Sequence, residues 1–470
     1  MSSVRTRIAP SPTGEDIHIG NLYTALINWA YAKKNNGQFI VRIEDTDRER
    51  YVKGAEEKIL ASLHAFSITN DEGPDVGGPY APYRQSERLP IYKQHAEELI
   101  AKGKAYYCFC SKERLEELRS TQQKNKQIPR YDKYCLLNVK NAKERIAGGE
   151  KYVVRLNVTP DKKVWFDDVI RGKIEFDSNQ IDDQVLLKSD GYPTYHLGVV
   201  VDDHLMKISH VVRAEEWISS TPKHVILYES FGWPLPVFAH MPILRNPDKS
   251  KLSKRKNPVW ASWYLGEGYL PEAILNFLAL QGWSHPDGKE LFSVAEFIEK
   301  IDLKDIHPAG PIFDINKLQW MNQQYIQTLD NSSLKNKLLN FYEENQTIHG
   351  FLSNNKASET VLELAKTRMK ALKDFSSLVH YLFESPGKDM MSEEHMQIIP
   401  LIKTALEQVA SWKSSEILAV LKELMSKQSS AKMSLFYVLF TGSKQGLPLP
   451  EMLEVLGKDE VLKRLENLQK

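Results

Sequence analysis

The chain has 470 residues, too many for one ordinary core, and about three domains are expected. Hydrophobic residues make up 42% and charged residues 26%, a profile that excludes a disordered chain. Lysine and arginine (62) nearly balance aspartate and glutamate (61), so any nucleic acid must be held by local basic patches and not by bulk charge. The opening MSSVRTRIAPSPTG has no apolar leader, and no stretch nears the ~18–20 apolar residues that span a bilayer. Three cysteines do not make a disulfide framework. A reducing, cytoplasmic setting without a membrane partner is expected.

Val4 to Ala9 alternates apolar and polar residues before Pro10 and Pro12, which predicts a strand. After a polar turn, Leu22, Ala25, Leu26, Trp29 and Ala30 recur at helical spacing over Asn21 to Asn35. Gly37 stops that helix, and Gln38 to Ile43 reads as a buried strand. Strand, turn, helix and strand in that order are the βαβ unit of a doubly wound fold, which binds ligands at its strand ends. Residues 89–125 read as helix broken by Cys-Phe-Cys at 108–110, and mixed strand signals follow to about residue 190. Thr194 to Val212, with its His-Leu-Gly-Val-Val-Val-Asp-Asp run, reads as a second strand-rich block. Beyond Leu270 helical patterns dominate, for example Val361 to Leu382 and Ser415 to Met425.

Two segments carry chemistry. Ala9-Pro-Ser-Pro-Thr-Gly-Glu-Asp-Ile-His-Ile-Gly-Asn21 joins the first strand to the first helix. Gly14 and Gly20 permit close backbone approach, the helix start offers N–H groups to an anion, and His18 could donate to a phosphate. A capped turn is the plain alternative. The second segment is Arg245-Asn-Pro-Asp-Lys-Ser-Lys-Leu-Ser-Lys-Arg255. Its ammonium groups suit closure over a triphosphate as pyrophosphate leaves; the plain alternative is a solvated basic loop.

These segments resemble the two signatures of class I aminoacyl-tRNA synthetases. Phe39 to Asp47 (FIVRIEDTD), Tyr83 to Arg88 (YRQSER), Lys188 to His196 (KSDGYPTYH) and Val212 to Trp217 (VRAEEW) are similar, more narrowly, to the bacterial glutamyl-tRNA synthetase family. The likeness runs over nearly the whole chain. It implies an α/β Rossmann-type catalytic domain (1–88 and 197–246) with an inserted α+β acceptor-binding domain (89–196). A connecting domain (247–330) would carry the Lys-Leu-Ser-Lys-Arg loop. An all-α anticodon-binding region would follow in two parts (331–400 and 401–470).

The resemblance also implies roles. Arg7, Ala9, Ser11, Glu44, Tyr195 and Arg213 match glutamate-binding positions. Arginine suits a planar grip on carboxylate. Arg7 with the Tyr195 hydroxyl is expected on the side-chain carboxylate, Arg213 on the α-carboxylate and Glu44 on the ammonium, the division between the arginines being open. ATP is expected over His18, Gly20, Asn21, Glu216, Leu244, Lys251 and Lys254, with Lys254 and His18 catalytic. Magnesium would accompany the triphosphate, held largely by its oxygens. Cys108, Cys110 and Cys135 match three of four zinc ligands of some relatives, but the fourth position is Leu137; Asp132 or a water would have to substitute, and no metal is expected. Arg368, with Lys366 and Lys370 on one helix, is expected to meet the anticodon. The implied partners are L-glutamate, ATP and glutamate tRNA, and the implied state is a monomer. The alternatives are a form that also charges glutamine tRNA, a glutaminyl enzyme, which the helical tail disfavours, and a non-catalytic tRNA-binding paralogue.

Overall fold

The first strand forms where expected. Arg5–Ile8 (β1) runs parallel to Gln38–Val41 (β2), in register from Arg5↔Gln38 to Ile8↔Val41. Ile19–Lys34 (α1) connects them and is buried on almost every side, polar Thr24 and Asn28 included. Asn28 satisfies its amide on the Thr24 and Val212 carbonyls and accepts Thr6 Oγ1 at its own carbonyl, which ties α1 to two strands. Gly37 is required at the turn: a Cβ there would lie 2.1 Å from the Val4 carbonyl oxygen. The computed structural model describes residues 3–252, 258–354, 356–428 and 431–469. The chain divides into two units, one of residues 1–264 and 274–314, the other of residues 265–273 and 315–470.

In the first unit, α2 (Ala55–Ala65) and α3 (Leu89–Ala101) follow. The Cys-Phe-Cys break begins as a strand, β3 (Ala105–Cys108), before α4 (Lys112–Lys124) and the short α5 (Tyr134–Asn138) and α6 (Ala142–Ala147). β3 pairs antiparallel with β4 (Val153–Leu156). The hairpin of β5 (Lys163–Asp168) and β6 (Gly172–Asp177) comes next, then β7 (Val185–Leu187) against β4. α7 is Tyr195–Leu205, β8 His210–Ala214, α8 Thr221–Phe231 and β9 Val237–Met241. The hairpin lies within the segment expected as an insertion, yet its strand β5 joins β9, giving the sheet order β6-β5-β9-β8. β1 abuts the start of β8 through Ser209, whose N–H donates to the Arg5 carbonyl.

The second strand-rich block is overturned in its first part: His196 to Asp203 is not strand but the body of α7. The Val199-Val200-Val201 run favours strand on propensity alone, but tertiary context decides. All three valines are buried, and the adjacent Asp202 and Asp203 are buried with them. Two acids at a helix C-terminus oppose the helix dipole. Arginines from elsewhere offset this: Arg88 meets Asp202 at 2.8 Å, while Arg7 and Arg42 meet Asp203 at 3.1 and 2.7 Å. Tyr92 Oη donates to Asp202 at 2.7 Å. Burial and the two arginines act in opposite senses on the Asp203 carboxyl, and the arginines win, holding it below the usual carboxylate range.

The second unit is helical, without a strand among its described residues. Two hydrophobic clusters organise it, one around Leu334, Leu362 and Phe375, the other around Ile402, Leu421 and Phe436. Ser414–Lys427 is a helix as expected. Val361 to Leu382 is not a single helix: Ser358–Lys366 ends and Asp374–Val379 begins anew. The backbone between is taken by other partners: Leu372 N donates to the Gly268 carbonyl, and the Asp374 carboxylate caps the N–H groups of Lys370 and Ala371. Arg368 therefore lies not on a basic helix with Lys366 and Lys370 but exposed in the turn past its end.

Arg42 is fully buried among Asp202, Asp203 and Glu44. Removing one member of such a cluster strands buried charge. Arg42→Met should lower the unfolding free energy by about 3–5 kcal/mol in a denaturant titration; a loss below ~1 kcal/mol would show that the cluster does not hold α7.

Candidate active site

The loop from Ala9 to Gly20 is fixed by a buried acid inside it, to which the sequence reading gave no role. Asp16 accepts from Ile17 N and Ser62 Oγ, both at 2.6 Å, and from Ser262 N at 2.9 Å. The loop ends in a cap. His18 Nδ1 accepts from Gly20 N at 3.0 Å, closing the start of α1. Because Nδ1 accepts, the neutral ring carries its proton on Nε2, the atom that could donate to a phosphate. The capping and phosphate readings of His18 thus use different nitrogens and are compatible.

Two adjoining cavities lie at the strand ends. The larger, of about 740 Å³, is lined by all six residues expected to bind glutamate: Arg7, Ala9, Ser11, Glu44, Tyr195 and Arg213. The smaller, of about 270 Å³, is lined by His18, Gly20, Asn21, Glu216, Leu244 and Lys251. Asn21 and Glu216 line both, so the cavities meet there. Lys251 and Glu216 form an ion pair at the rim. Lys254 lies outside the described residues.

The two arginines differ in their surroundings. Arg7, from β1, donates Nε and Nη2 to the two oxygens of Asp203 at 3.1 and 3.2 Å, so its charge is matched. Arg213, from β8, is only 5% exposed and has no acid partner among the described residues. Its donors go to neutral acceptors: Nη1 to Tyr195 Oη at 3.0 Å and to His224 Nδ1 at 3.3 Å, Nη2 to Thr221 Oγ1 at 2.8 Å, and Nε to His240 Nε2 at 3.1 Å. The Tyr195 hydroxyl is therefore paired with Arg213 and not with Arg7. The Trp217 ring packs over Tyr195, with centroids 4.3 Å apart. Opposite in sign, Glu44 receives Arg42 Nη2 at 3.2 Å. Burial pushes the Glu44 carboxyl up to about 7, against the pull of Arg42 and Arg7.

Sequence reasoning missed Asp16, Lys188, Thr221, His224 and His240. Lys188 lines the larger cavity and donates to the Thr46 carbonyl at 3.1 Å. It stands inside a quoted motif and could have been found there. The histidines belong to no local pattern and become visible only when β8, α8 and β9 come together.

The three cysteines do meet. Their sulfurs lie within 4.8 Å of one another, Cys110 and Cys135 at 3.5 Å. The fourth member is Tyr131, whose hydroxyl lies 3.5 Å from Cys108 Sγ and 3.2 Å from Cys110 Sγ. Leu137 is exposed, and Asp132 is turned away into Arg114. Tetrahedral zinc with bonds of about 2.3 Å to sulfur spaces its ligand atoms by about 3.5–3.8 Å. The Cys110–Cys135 separation matches that spacing, and the Tyr131 hydroxyl stands where a fourth ligand would close the group.

With the geometry established, comparison decides the family. The family described as "tRNA synthetases class I (E and Q), catalytic domain" matches residues 3–320, and "Anticodon binding domain" matches residues 326–469. The chain belongs to the class I tRNA synthetases of the glutamate and glutamine group. It is 44% identical to the glutamate–tRNA ligase of Acidothermus cellulolyticus, covering 98% of this chain and 95% of that one. The glutamate–tRNA ligase of Thermus thermophilus is likewise 44% identical, with 98% and 99% covered. A crystal structure of a glutamate tRNA ligase from Elizabethkingia meningosepticum, in complex with its amino acid, superposes with a TM-score of 0.87 at 34% identity, covering 100% of this chain and 99% of that one. The helical second unit of this synthetase agrees with the anticodon-binding match. No helix among the described residues is long and apolar enough to cross a membrane.

The cap reading of His18 can be separated from its chemistry. His18→Ala should cost ~1 kcal/mol of stability by chemical denaturation, whereas His18→Asn, which keeps a side-chain acceptor, should cost only a few tenths. Equal losses would show that the cap contributes nothing.

Proposed function

We infer that this chain is a glutamate–tRNA ligase, which converts glutamate and ATP to glutamyl-adenylate and pyrophosphate and then transfers the glutamyl group to the 3′ end of glutamate tRNA. The observation that carries it is the pairing, in one cavity, of a buried guanidinium with no counterion among the described residues (Arg213) and a largely enclosed carboxylate (Glu44). An amino acid with an acidic side chain presents the complementary charges. The relatives named above support the same substrate.

The geometry favours a revised division of labour. Arg213 and the Tyr195 hydroxyl take the side-chain carboxylate, because Tyr195 Oη accepts from Arg213 and its own O–H is left to donate a hydrogen bond to the ligand. Glu44 takes the ammonium. The α-carboxylate then faces the smaller cavity, where ATP lies across His18, Gly20, Asn21, Glu216, Leu244 and Lys251. Arg7, matched by Asp203, shapes the wall.

In the first step a carboxylate oxygen of glutamate attacks the α-phosphorus, a P–O bond forms, and pyrophosphate leaves with the electron pair of the broken bond. In the second, the tRNA 3′-terminal ribose hydroxyl attacks the activated carbonyl, AMP leaves, and the hydroxyl proton is lost. The protein's contribution is position and charge: His18 Nε2–H at the phosphates, Lys251 near them, and Lys254 as the basic residue expected to close on the leaving group. Magnesium, if bound with ATP, would neutralise charge on the phosphates. The segment 89–196 holds the acceptor end, and residues 331–470, with Arg368 exposed in its turn, hold the anticodon stem.

Charging of purified glutamate and glutamine tRNAs, with labelled glutamate and in parallel with labelled glutamine, tests the reading. Glutamate on glutamate tRNA is expected; glutamine as the charged amino acid, or no charging, would overturn it. Since only ionised Glu44 holds an ammonium, and the group is ionised above its raised pKa, the KM for glutamate should rise as pH falls below about 7. Over the same range the KM for ATP should stay level, and Glu44→Gln should give a high KM for glutamate at every pH.

The thiol cluster is the place for a structural zinc, held by Cys108, Cys110, Cys135 and Tyr131 and tethering β3 to α5. Elemental analysis of the purified chain should find about one zinc per chain, lost in Cys135→Ser. A metal-free chain of unchanged thermal stability under chelation would remove this assignment.

A further inference from the structure

Arg213 has a built support behind it that the reaction scheme does not use. Asp168, at the end of β5, is 3% exposed, and His240, in β9, is fully buried. Asp168 Oδ1 accepts from Ile170 N and Arg171 N, both at 3.0 Å. Asp168 Oδ2 lies 3.0 Å from His240 N and 2.6 Å from His240 Nδ1. With both carboxylate oxygens accepting, Nδ1 must carry the imidazole proton. The lone pair on Nε2 then faces Arg213 Nε, 3.1 Å away, and an arginine can only donate. The second histidine is fixed the same way. His224 Nδ1 accepts from Arg213, so its Nε2–H donates to His196 Nδ1 at 3.0 Å.

We propose that Asp168 and His240 are positioning residues that hold Arg213 with its charge uncompensated, and so set the preference for the charged side chain of glutamate over the amide of glutamine. The inference rests on the reading of Arg213 as the side-chain carboxylate's partner. Its physical basis is the order of the groups. The negative charge nearest to Arg213 on this side stands one imidazole away, and the backbone donors at Ile170, Arg171 and His240 already absorb much of it. An acid placed directly on the guanidinium, as Asp203 is on Arg7, would cancel the charge that an incoming carboxylate needs. A neutral acceptor orients the guanidinium without cancelling it. Burial and the neighbouring arginine keep both imidazoles neutral, His240 lowered to about 4 and His224 well below its ordinary value. Glutamine offers an amide, which gains little from an uncompensated cation, so the arrangement separates two side chains of nearly equal size.

The substitutions follow from the donor count. In Asp168→Asn the amide has one oxygen for two sets of donors, so either orientation sets an N–H₂ against N–H groups. His240→Leu removes the acceptor, and His240→Gln can restore one at the Nε2 position. Charging kinetics with glutamate and with glutamine, on the full chain and glutamate tRNA, provide the readout. Asp168→Asn and His240→Leu should raise the KM for glutamate on the order of 10–100-fold and narrow the preference for glutamate over glutamine by a similar factor. The KM for ATP should stay within about twofold, the internal check that the fold is intact, and His240→Gln should recover most of the loss. Unchanged glutamate KM and selectivity in both variants would overturn the proposal. So would a KM for ATP that rises in step with that for glutamate, loss of folding in His240→Leu without recovery in His240→Gln, or a His240→Gln no better than His240→Leu. If the unsubstituted chain itself charges no glutamate, the underlying reading of the pocket fails, an outcome distinct from these.

Discussion

The first unit depends on one pair of acids. Asp202 and Asp203 sit side by side near the C-terminal end of α7, fully or almost fully buried, and three arginines from three different places converge on them. Arg7 comes from β1, Arg42 directly follows β2, and Arg88 immediately precedes α3. Burying two like charges on adjacent residues is untenable alone. With the arginines in place, the same acids fix α7 against the parallel strands and thereby set where Tyr195, at its opposite end, faces the cavity. One member of the cluster, Arg7, also lines that cavity, so the packing of the fold and the charge of the site cannot be tuned apart.

This is also where reading the sequence succeeded and failed. The loop Ala9 to Asn21 was legible because its chemistry needs particular residues: small ones where backbone meets ligand, a helix start, and a side chain able to cap or donate. The six positions expected to bind glutamate came from resemblance, and one cavity gathers them all. α7 was not legible, because Val199 to Val201 favours strand and only the distant Arg7, Arg42 and Arg88 make a buried Asp202-Asp203 end tolerable in a helix. Tyr131 was missed for a similar reason. The pattern sought a fourth ligand two residues past Cys135, whereas the chain places a hydroxyl against the sulfurs four residues before it, in the segment that precedes α5. The single helix expected over Val361 to Leu382 failed on a cap, Asp374, whose partners Lys370 and Ala371 lie just upstream.

The division of work between the arginines shows why residue type alone could not assign it. Arg7 and Arg213 are equally suited to a carboxylate by shape and donor number. What separates them is the neighbour that each already has. Arg7 is held on both oxygens of Asp203, an acid that it shares with Arg42, while Arg213 meets two imidazoles and two hydroxyls. Sequence shows the guanidinium in both cases and the counterion in neither.

A buried cation without a counterion is costly in a folded chain, and neutral acceptors recover only part of what water provided. The cost is tolerated where a ligand completes the arrangement, as when stability is exchanged for function at a binding site. A pocket that solvated its arginine fully would hold it just as steadily but would give a carboxylate no advantage over an amide of the same shape. The incomplete pairing of Arg213 is thus the feature by which the pocket distinguishes charge, and the imidazole between it and Asp168 is what allows that incompleteness to persist in a dense, well-ordered core.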